Sequence, residues 1–100
     1  MLKNTNPIIQ VESSTKAKNI SVNILFFASL QDDFKCSGLT LQVARGSTLR
    51  ELRDKLFSGT EIKEEKIKTI TYAVNHEYVS LNVKLKKGDE VAFLPFVSGG

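Results

Sequence analysis

Side chains that commonly carry out chemistry are few and scattered in this sequence. The chain of 100 residues has a single cysteine, Cys36, and a single histidine, His76. Cys36 has only Lys35 as a charged neighbour, and the acidic pair Glu64-Glu65 lies in a charged run typical of a solvated surface. No spacing of His, Cys and carboxylate residues matches a metal site, and no glycine-rich phosphate loop is present. We therefore expect neither side-chain catalysis nor a metal.

The last residues offer a different chemistry, that of a main-chain carboxylate. The sequence closes with Phe96-Val97-Ser98-Gly99-Gly100, and two of its six glycines are the final pair. Because glycine lacks a Cβ atom, such a segment can thread a narrow channel and adopt backbone angles closed to other residues. We interpret 96–100 as a flexible tail that presents the Gly100 carboxylate to another protein's active site. The alternative is a frayed terminus without function.

Composition and charge narrow the function classes. Apolar residues make up 41% and charged residues 25% of the chain, as in an ordinary globular domain. The net charge of +3 is not gathered on one surface, since Lys84, Lys86 and Lys87 are followed at once by Asp89 and Glu90. This argues against nucleic-acid binding. No apolar run is long enough to span a membrane. A lone cysteine fits a reducing compartment, and we expect the cytosol.

The chain divides into three parts. Residues 1–19 are rich in Asn, Ser, Thr and Lys, which predicts a disordered leader. Residues 20–95 form one domain, and 96–100 form the tail. Within the domain, apolar and β-branched runs predict strands over 20–27, 39–43, 70–74, 78–81 and 90–94. The segment 31–38 is predicted as a loop or a single helical turn, and 60–68 as at most one marginal turn.

One helix is strongly predicted. Thr48 followed by Glu51 matches a capping box, and Ser58-Gly59 is a plausible stop. A single apolar stripe recurs at helical spacing, formed by Leu49, Leu52, Leu56 and Phe57. A hairpin, a helix and further strands in this order indicate an α+β roll with the helix on one face of a mixed sheet.

Strand alternation predicts an uncovered apolar surface on the other face. In the first strand Val22, Ile24 and Phe26 point to one side, whereas Leu25 and Phe27 point to the other. If the helix covers the first set, an apolar patch stays open on the second face; it comprises Leu25, Phe27, Ala92 and Leu94. Such a patch usually marks an interface. The alternative is that residues 31–38 fold over it, with Phe34 as the plug.

Three sequence blocks carry a resemblance to a known family. They are Leu25-Phe-Phe-Ala28, Gly88-Asp-Glu-Val-Ala-Phe93 and the closing Leu94-Pro-Phe-Val-Ser-Gly-Gly100. Over about residues 20–100 the chain resembles the small subunits of molybdopterin synthase, the sulfur carriers of molybdenum-cofactor synthesis. The resemblance implies a ubiquitin-like β-grasp roll with a protruding Gly-Gly tail. Phe96 departs from the family, which commonly has a second proline there.

The resemblance also implies a mechanism and partners. An activating enzyme of the ubiquitin-activating type, an adenylyltransferase and sulfurtransferase, would use ATP to adenylate Gly100, and sulfur would replace AMP to give a thiocarboxylate. The tail would then enter the synthase large subunit, in a heterotetramer, and donate sulfur to cyclic pyranopterin monophosphate. By this reading the chain binds no cofactor and is an enzyme only as part of the complex. Its docking residues would be Leu25, Phe27, Ala92, Leu94 and Tyr78.

Two other functions share parts of this pattern. A sibling sulfur carrier, for thiamine synthesis or for tRNA thiolation, would have the same tail chemistry with a different acceptor. A ubiquitin-like protein modifier would instead join its terminal glycine to lysines of other proteins.

Overall fold

A computed structural model describes residues 19–96. Five strands are present in this part of the chain: β1 (Asn19–Phe26), β2 (Gly38–Ala44), β3 (Thr71–Val74), β4 (Glu77–Val79) and β5 (Glu90–Leu94). The helices are α1 (Ser29–Phe34), α2 (Leu49–Phe57) and α3 (Glu64–Lys68). None of the helices within 19–96 has the length and apolar character needed to cross a bilayer.

The strands form one mixed sheet in the order β2-β1-β5-β3-β4. The central pair, β1 and β5, is parallel, and the other neighbours are antiparallel. The register places Leu25 of β1 beside Ala92 of β5, and Ala92 beside Ala73 of β3. The last strand is therefore not at an edge, and the chain leaves it at the middle of the sheet.

One face of the sheet carries the core. Val22, Ile24, Phe26, Val91 and Phe93 are all at most 1% exposed. The α2 stripe packs on this face, with Leu49, Leu52 and Phe57 buried as its spacing predicts. Aromatic rings fill the space between sheet and helix, at centroid distances of 4.2 to 6.0 Å, in a cluster of Phe26, Phe34, Phe57, Tyr72 and Phe93.

The predicted start and stop of α2 are confirmed. The Thr48 N–H donates to Glu51 Oε1 at 2.9 Å, and the Glu51 N–H donates to Thr48 Oγ1 at 3.3 Å. Two further N–H groups of the first turn, those of Leu49 and Arg50, donate to carbonyls of the segment before β5. Gly59 follows the helix at φ +80°, a conformation that favours glycine.

The connection between β1 and β2 differs from the sequence prediction. A short helix, α1, spans residues 29–34, so it begins two residues before the segment 31–38 that was predicted as a loop or a single helical turn. The proposal that Phe34 plugs the second face is wrong: its ring stacks on Phe26 at 4.2 Å, on the face that carries the core. Leu30 is fully buried, and this anchor holds α1 against the same side. Smaller differences are a start of β1 at Asn19 and an end of β4 at Val79, before Leu81.

Candidate functional site

The second face of the sheet has no helix over it, as strand alternation predicted. Phe27 is 41% exposed and Tyr78 is 77% exposed, although both are large aromatic residues. Leu25, Ala92 and Leu94 on the same face are only half-buried. A soluble domain normally hides such side chains, so this open face is the first candidate for contact with another molecule.

A shallow hollow of about 330 Å³ lies on the open face. Its wall comprises Leu25, Phe27, Ala73, His76, Tyr78, Glu90, Ala92 and Leu94. All five residues that the sequence indicated as docking residues line it. Their role in docking stays a prediction, but the tertiary structure places them around one concavity.

Small side chains create the depth of this hollow. The register places one residue from each strand in a row across the sheet, and the row reads Gly38, Leu25, Ala92, Ala73 and Tyr78. The two alanines form a low floor between Leu25 and Tyr78. At Gly38 an added Cβ would lie 2.7 Å from the Ile24 carbonyl oxygen and 3.2 Å from a Leu25 methyl carbon. Gly38 therefore allows Leu25 to keep its position at the edge of the hollow.

A tight turn forms the polar rim. Asn75 and His76 join β3 to β4 with φ values of +53° and +75°, as in a two-residue hairpin turn. The Asn75 side chain fixes this turn to β5, since its Oδ1 accepts from the Glu90 N–H at 3.0 Å and its Nδ2 donates to Asp89 Oδ1 at 2.9 Å. The other Asp89 oxygen accepts from the Lys86 N–H at 2.7 Å. The rim is thus held by a connected set of hydrogen bonds.

His76 and Glu90 meet at this rim. His76 Nε2 lies 3.2 Å from Glu90 Oε1, and the two side chains are 89% and 40% exposed. His76 is a surface residue of a turn, as expected, but it also borders the hollow. Neither it nor Glu90 was among the predicted site residues. The Asn75-His76 turn was the available signal for these two residues. A two-residue turn sets the register that pairs Ala73 with Tyr78, and this register places the turn beside the same hollow.

The predicted tail begins beside the hollow. Leu94 ends β5 and lines the hollow, Pro95 follows, and the Phe96 side chain is 70% exposed. The chain therefore leaves its described part at the open side of the molecule. Val97, Ser98, Gly99 and Gly100 lie outside the described residues, as does the predicted leader up to residue 18.

The remaining candidates for side-chain chemistry stay apart. Cys36 follows α1, is half-buried and packs against the core. Glu64 and Glu65 occupy the exposed first turn of α3. Within residues 19–96 no group of three or more His, Cys, Asp or Glu side chains is arranged to hold a metal ion. Five of the six residues that line a second hollow, of about 590 Å³ between α1 and α3, are polar or charged, and an ion pair joins its Asp33 to its Lys66.

One perturbed group lies in the core rather than at the hollow. Burial raises the pKa of Tyr72 to about 12, because the phenolate loses its hydration, and the Arg53 guanidinium nearby offsets only part of this. The Tyr72 hydroxyl has no hydrogen-bond partner among the described residues. The group is a protonated core phenol at neutral pH, and we assign it no chemistry.

Comparison with known proteins adds a family match and a named relative. The model of the ThiS family matches residues 24–100. The molybdopterin synthase sulfur carrier subunit of Chlamydomonas reinhardtii is 30% identical over 83 residues, which are 81% of this chain and 100% of the relative.

Solved structures add two similar folds. A complex of subunits 1 and 2 of molybdopterin-converting factor from Helicobacter pylori 26695 contains a chain with a TM-score of 0.59 and 29% identity, covering 81% of this chain and 100% of that one. Small archaeal modifier protein 1 from Methanosarcina acetivorans gives a TM-score of 0.57 and 26% identity, over 82% and 98% of the two chains. These likenesses confirm the predicted α+β, ubiquitin-like β-grasp fold.

Proposed function

The chain belongs to the ThiS family, and we propose that it is the sulfur-carrier subunit of a molybdopterin synthase. The observation that carries the proposal is the exposed apolar hollow beside the strand from which the Gly-Gly tail departs. A carrier protein needs a surface that a partner can bind and a reactive terminus whose position this binding determines. Side-chain catalysis is not required of it, which agrees with the scattered placement of Cys36 and His76.

The first proposed step activates the Gly100 carboxylate. A carboxylate is a poor electrophile, since its negative charge repels nucleophiles and oxide is a poor leaving group. A partner adenylyltransferase attaches AMP from ATP to the Gly100 carboxylate and releases pyrophosphate. A sulfur nucleophile at the level of sulfide then displaces AMP, so that a C–S bond replaces the acyl C–O bond. The product is a thiocarboxylate at Gly100.

The second proposed step delivers this sulfur. The tail enters the large subunit of the synthase, where the terminal sulfur attacks a carbon of cyclic pyranopterin monophosphate that carries an oxygen, and the C–O bond at that carbon breaks as the C–S bond forms. Hydrolysis of the resulting thioester returns Gly100 as a carboxylate, and two such deliveries form the dithiolene of molybdopterin. The large subunit supplies the acid, base and anion-binding groups. This chain contributes a positioned nucleophile, which is catalysis by proximity with a consumable group.

Both partners use the hollow as their binding site. The activating enzyme and the large subunit bind in turn at Leu25, Phe27, Ala92 and Leu94, with Tyr78 at the rim. Docking at the base of the tail fixes where Gly100 can reach, since Phe96 follows the hollow residue Leu94 by two positions. The single cysteine fits a reducing compartment, and we place the reaction in the cytosol.

Intact-mass measurement tests the tail chemistry. The full chain is incubated with ATP, a sulfur donor and the activating enzyme of the same organism. We expect the mass increase for exchange of one oxygen by sulfur, located at Gly100 by tandem fragmentation. The control variants lack Gly100 or carry one extra residue after it, and neither should gain sulfur or support product formation. Sulfur transfer by a variant that ends at Gly99 would contradict the proposal.

Co-purification with the synthase large subunit distinguishes this function from the related ones. A sibling carrier for thiamine synthesis or tRNA thiolation would gain sulfur without binding that subunit. A protein modifier is the second candidate, favoured by the likeness to small archaeal modifier protein 1. It would form stable adducts on lysines of other proteins, detectable by a mass shift of those proteins.

A further inference from the structure

Within residues 19–96, Glu90 is the only Asp, Glu, Lys or Arg among the strand residues of the open face. The other strand positions of this face carry neutral side chains. Examples are Ser21, Asn23 and Leu25 on β1 and Thr40 and Gln42 on β2. Charged residues nevertheless make up 25% of the chain. A single carboxylate on a central strand, at the border of an apolar hollow, can therefore discriminate between binding partners by their charge.

We propose that the partner segment seated on the hollow belongs to the synthase large subunit, inserts an apolar side chain over Ala73 and Ala92, and places a lysine or arginine against Glu90. This inference rests on the proposed function and specifies the partner at the same site. The apolar floor selects an aliphatic or aromatic group. The carboxylate at its border selects the cation.

The need for a cation follows from desolvation. A partner that covers the hollow removes water from Glu90, and an uncompensated buried carboxylate is strongly unfavourable. The contact with His76 is open to solvent, with the imidazole 89% exposed, so an ion pair there would contribute little. A guanidinium or ammonium group from the partner satisfies the carboxylate and fixes the register of docking.

Glu90 is held in place for such a contact. Its backbone N–H donates to the Asn75 side chain at 3.0 Å, and its carbonyl accepts from the Asn75 N–H at 2.8 Å. Asp89, the adjacent acid, is buried and its two oxygens accept from Asn75 and Lys86. Glu90 is therefore the carboxylate that remains available at the hollow.

The test compares the affinities of full-length variants for the purified large subunit of the same organism. We expect Glu90→Gln to raise the dissociation constant about tenfold, mainly through faster dissociation. Glu77→Gln removes the same charge from the exposed neighbouring strand β4, outside the hollow wall, and should stay within about twofold. Thermal unfolding checks that each variant is folded.

Several outcomes would overturn the inference. Equal or tighter binding by Glu90→Gln, or an equal loss by Glu77→Gln, would rule out a specific cation at Glu90. Dimerisation of the free chain that Glu90→Gln abolishes would assign the hollow to a second copy. The double variant Lys16→Gln/Lys18→Gln tests whether a lysine of this chain pairs with Glu90. If Glu90→Gln no longer changes the dissociation constant in that background, the cation comes from this chain and not from the partner. Absence of wild-type binding would overturn the proposed function and this inference together, a pattern distinct from binding that ignores Glu90.

Discussion

The two faces of the sheet are built from the same strands but have opposite roles. On the covered face Val22, Ile24 and Phe26 alternate with residues of the open face, and α2 seals them from water. On the open face Leu25 and Phe27 border a hollow with no element over it. Burial of the covered-face residues stabilises the fold. The open-face residues Leu25 and Phe27 are removed from water only when another molecule covers them, so their burial stabilises a complex.

In this small domain, folding and binding depend on different side chains of the same strands. Because successive side chains of a strand point to opposite faces, one strand can supply both a core and a docking surface. The separation is sharp at Phe26 and Phe27, adjacent residues that are 1% and 41% exposed. Substitutions at the two positions should therefore affect different measurements.

The largest expected effect is on the covered face. Phe93→Ala removes a fully buried ring that contacts Phe26, Phe57 and Tyr72. We expect a loss of about 3–5 kcal/mol in the free energy of unfolding, from lost burial and the cavity left behind. Urea denaturation measures it. A loss below about 1 kcal/mol would show that the two faces do not differ as described.

The next effect is confined to alkaline pH. The Tyr72 pKa of about 12 in the fold exceeds the ordinary value of 10.0, so between these values the native state keeps a proton that the unfolded chain has lost. Stability should therefore fall as the pH rises from about 10 to about 12, by up to about 2–3 kcal/mol. Unfolding curves of the wild type and Tyr72→Phe at several pH values measure the difference. A parallel decline in both proteins would exclude Tyr72 as the source.

Phe27→Asp tests the open face. A charge on the hollow should weaken binding of the large subunit at least tenfold, whereas the free energy of unfolding should change by less than about 1 kcal/mol. Calorimetric titration and urea denaturation give the two quantities. Gln42→Asp puts the same charge on β2 of the open face, outside the hollow, and should leave binding intact. Unfolding of Phe27→Asp would place Phe27 in the core instead.

Thr48→Ala probes the helix that covers the core. It removes the side-chain acceptor of the capping box, and we expect a loss of about 1 kcal/mol with no change in partner binding. Thermal denaturation follows the first effect and calorimetry the second. Weaker binding in a folded Thr48→Ala variant would mean that the covered face and the hollow are coupled.

The smallest effect concerns the unpartnered hydroxyl of the core. Tyr72→Phe at neutral pH removes a buried O–H that makes no hydrogen bond within 19–96 and keeps the ring that packs on Phe93. We expect unchanged stability or a gain of up to about 1 kcal/mol. Destabilisation by more than that would show that Arg53 satisfies the hydroxyl in solution.

Local patterns predicted much of this structure because their causes are local. The capping box at Thr48 and Glu51 involves residues within one helical turn, and the α2 stripe follows from helical spacing. Strand alternation placed Phe26 and Phe27 on opposite faces for the same reason. The placement of Phe34 was predicted wrongly. Its ring stacks on Phe26 on the core side, and the buried Leu30 anchors its helix there. No local sequence pattern indicates which face of the sheet a residue between two strands will cover.

Residue types and their spacing were enough to identify the closing segment, the two faces of the strands and the helix that covers one face. They were not enough to show that Leu25, Ala73, Tyr78 and Glu90 meet around one hollow, which folding brings about. These residues come from four strands, and their proximity depends on the order and register of the sheet. Long-range pairing sets that register through backbone hydrogen bonds between distant segments, which leave no mark in the residue types they join.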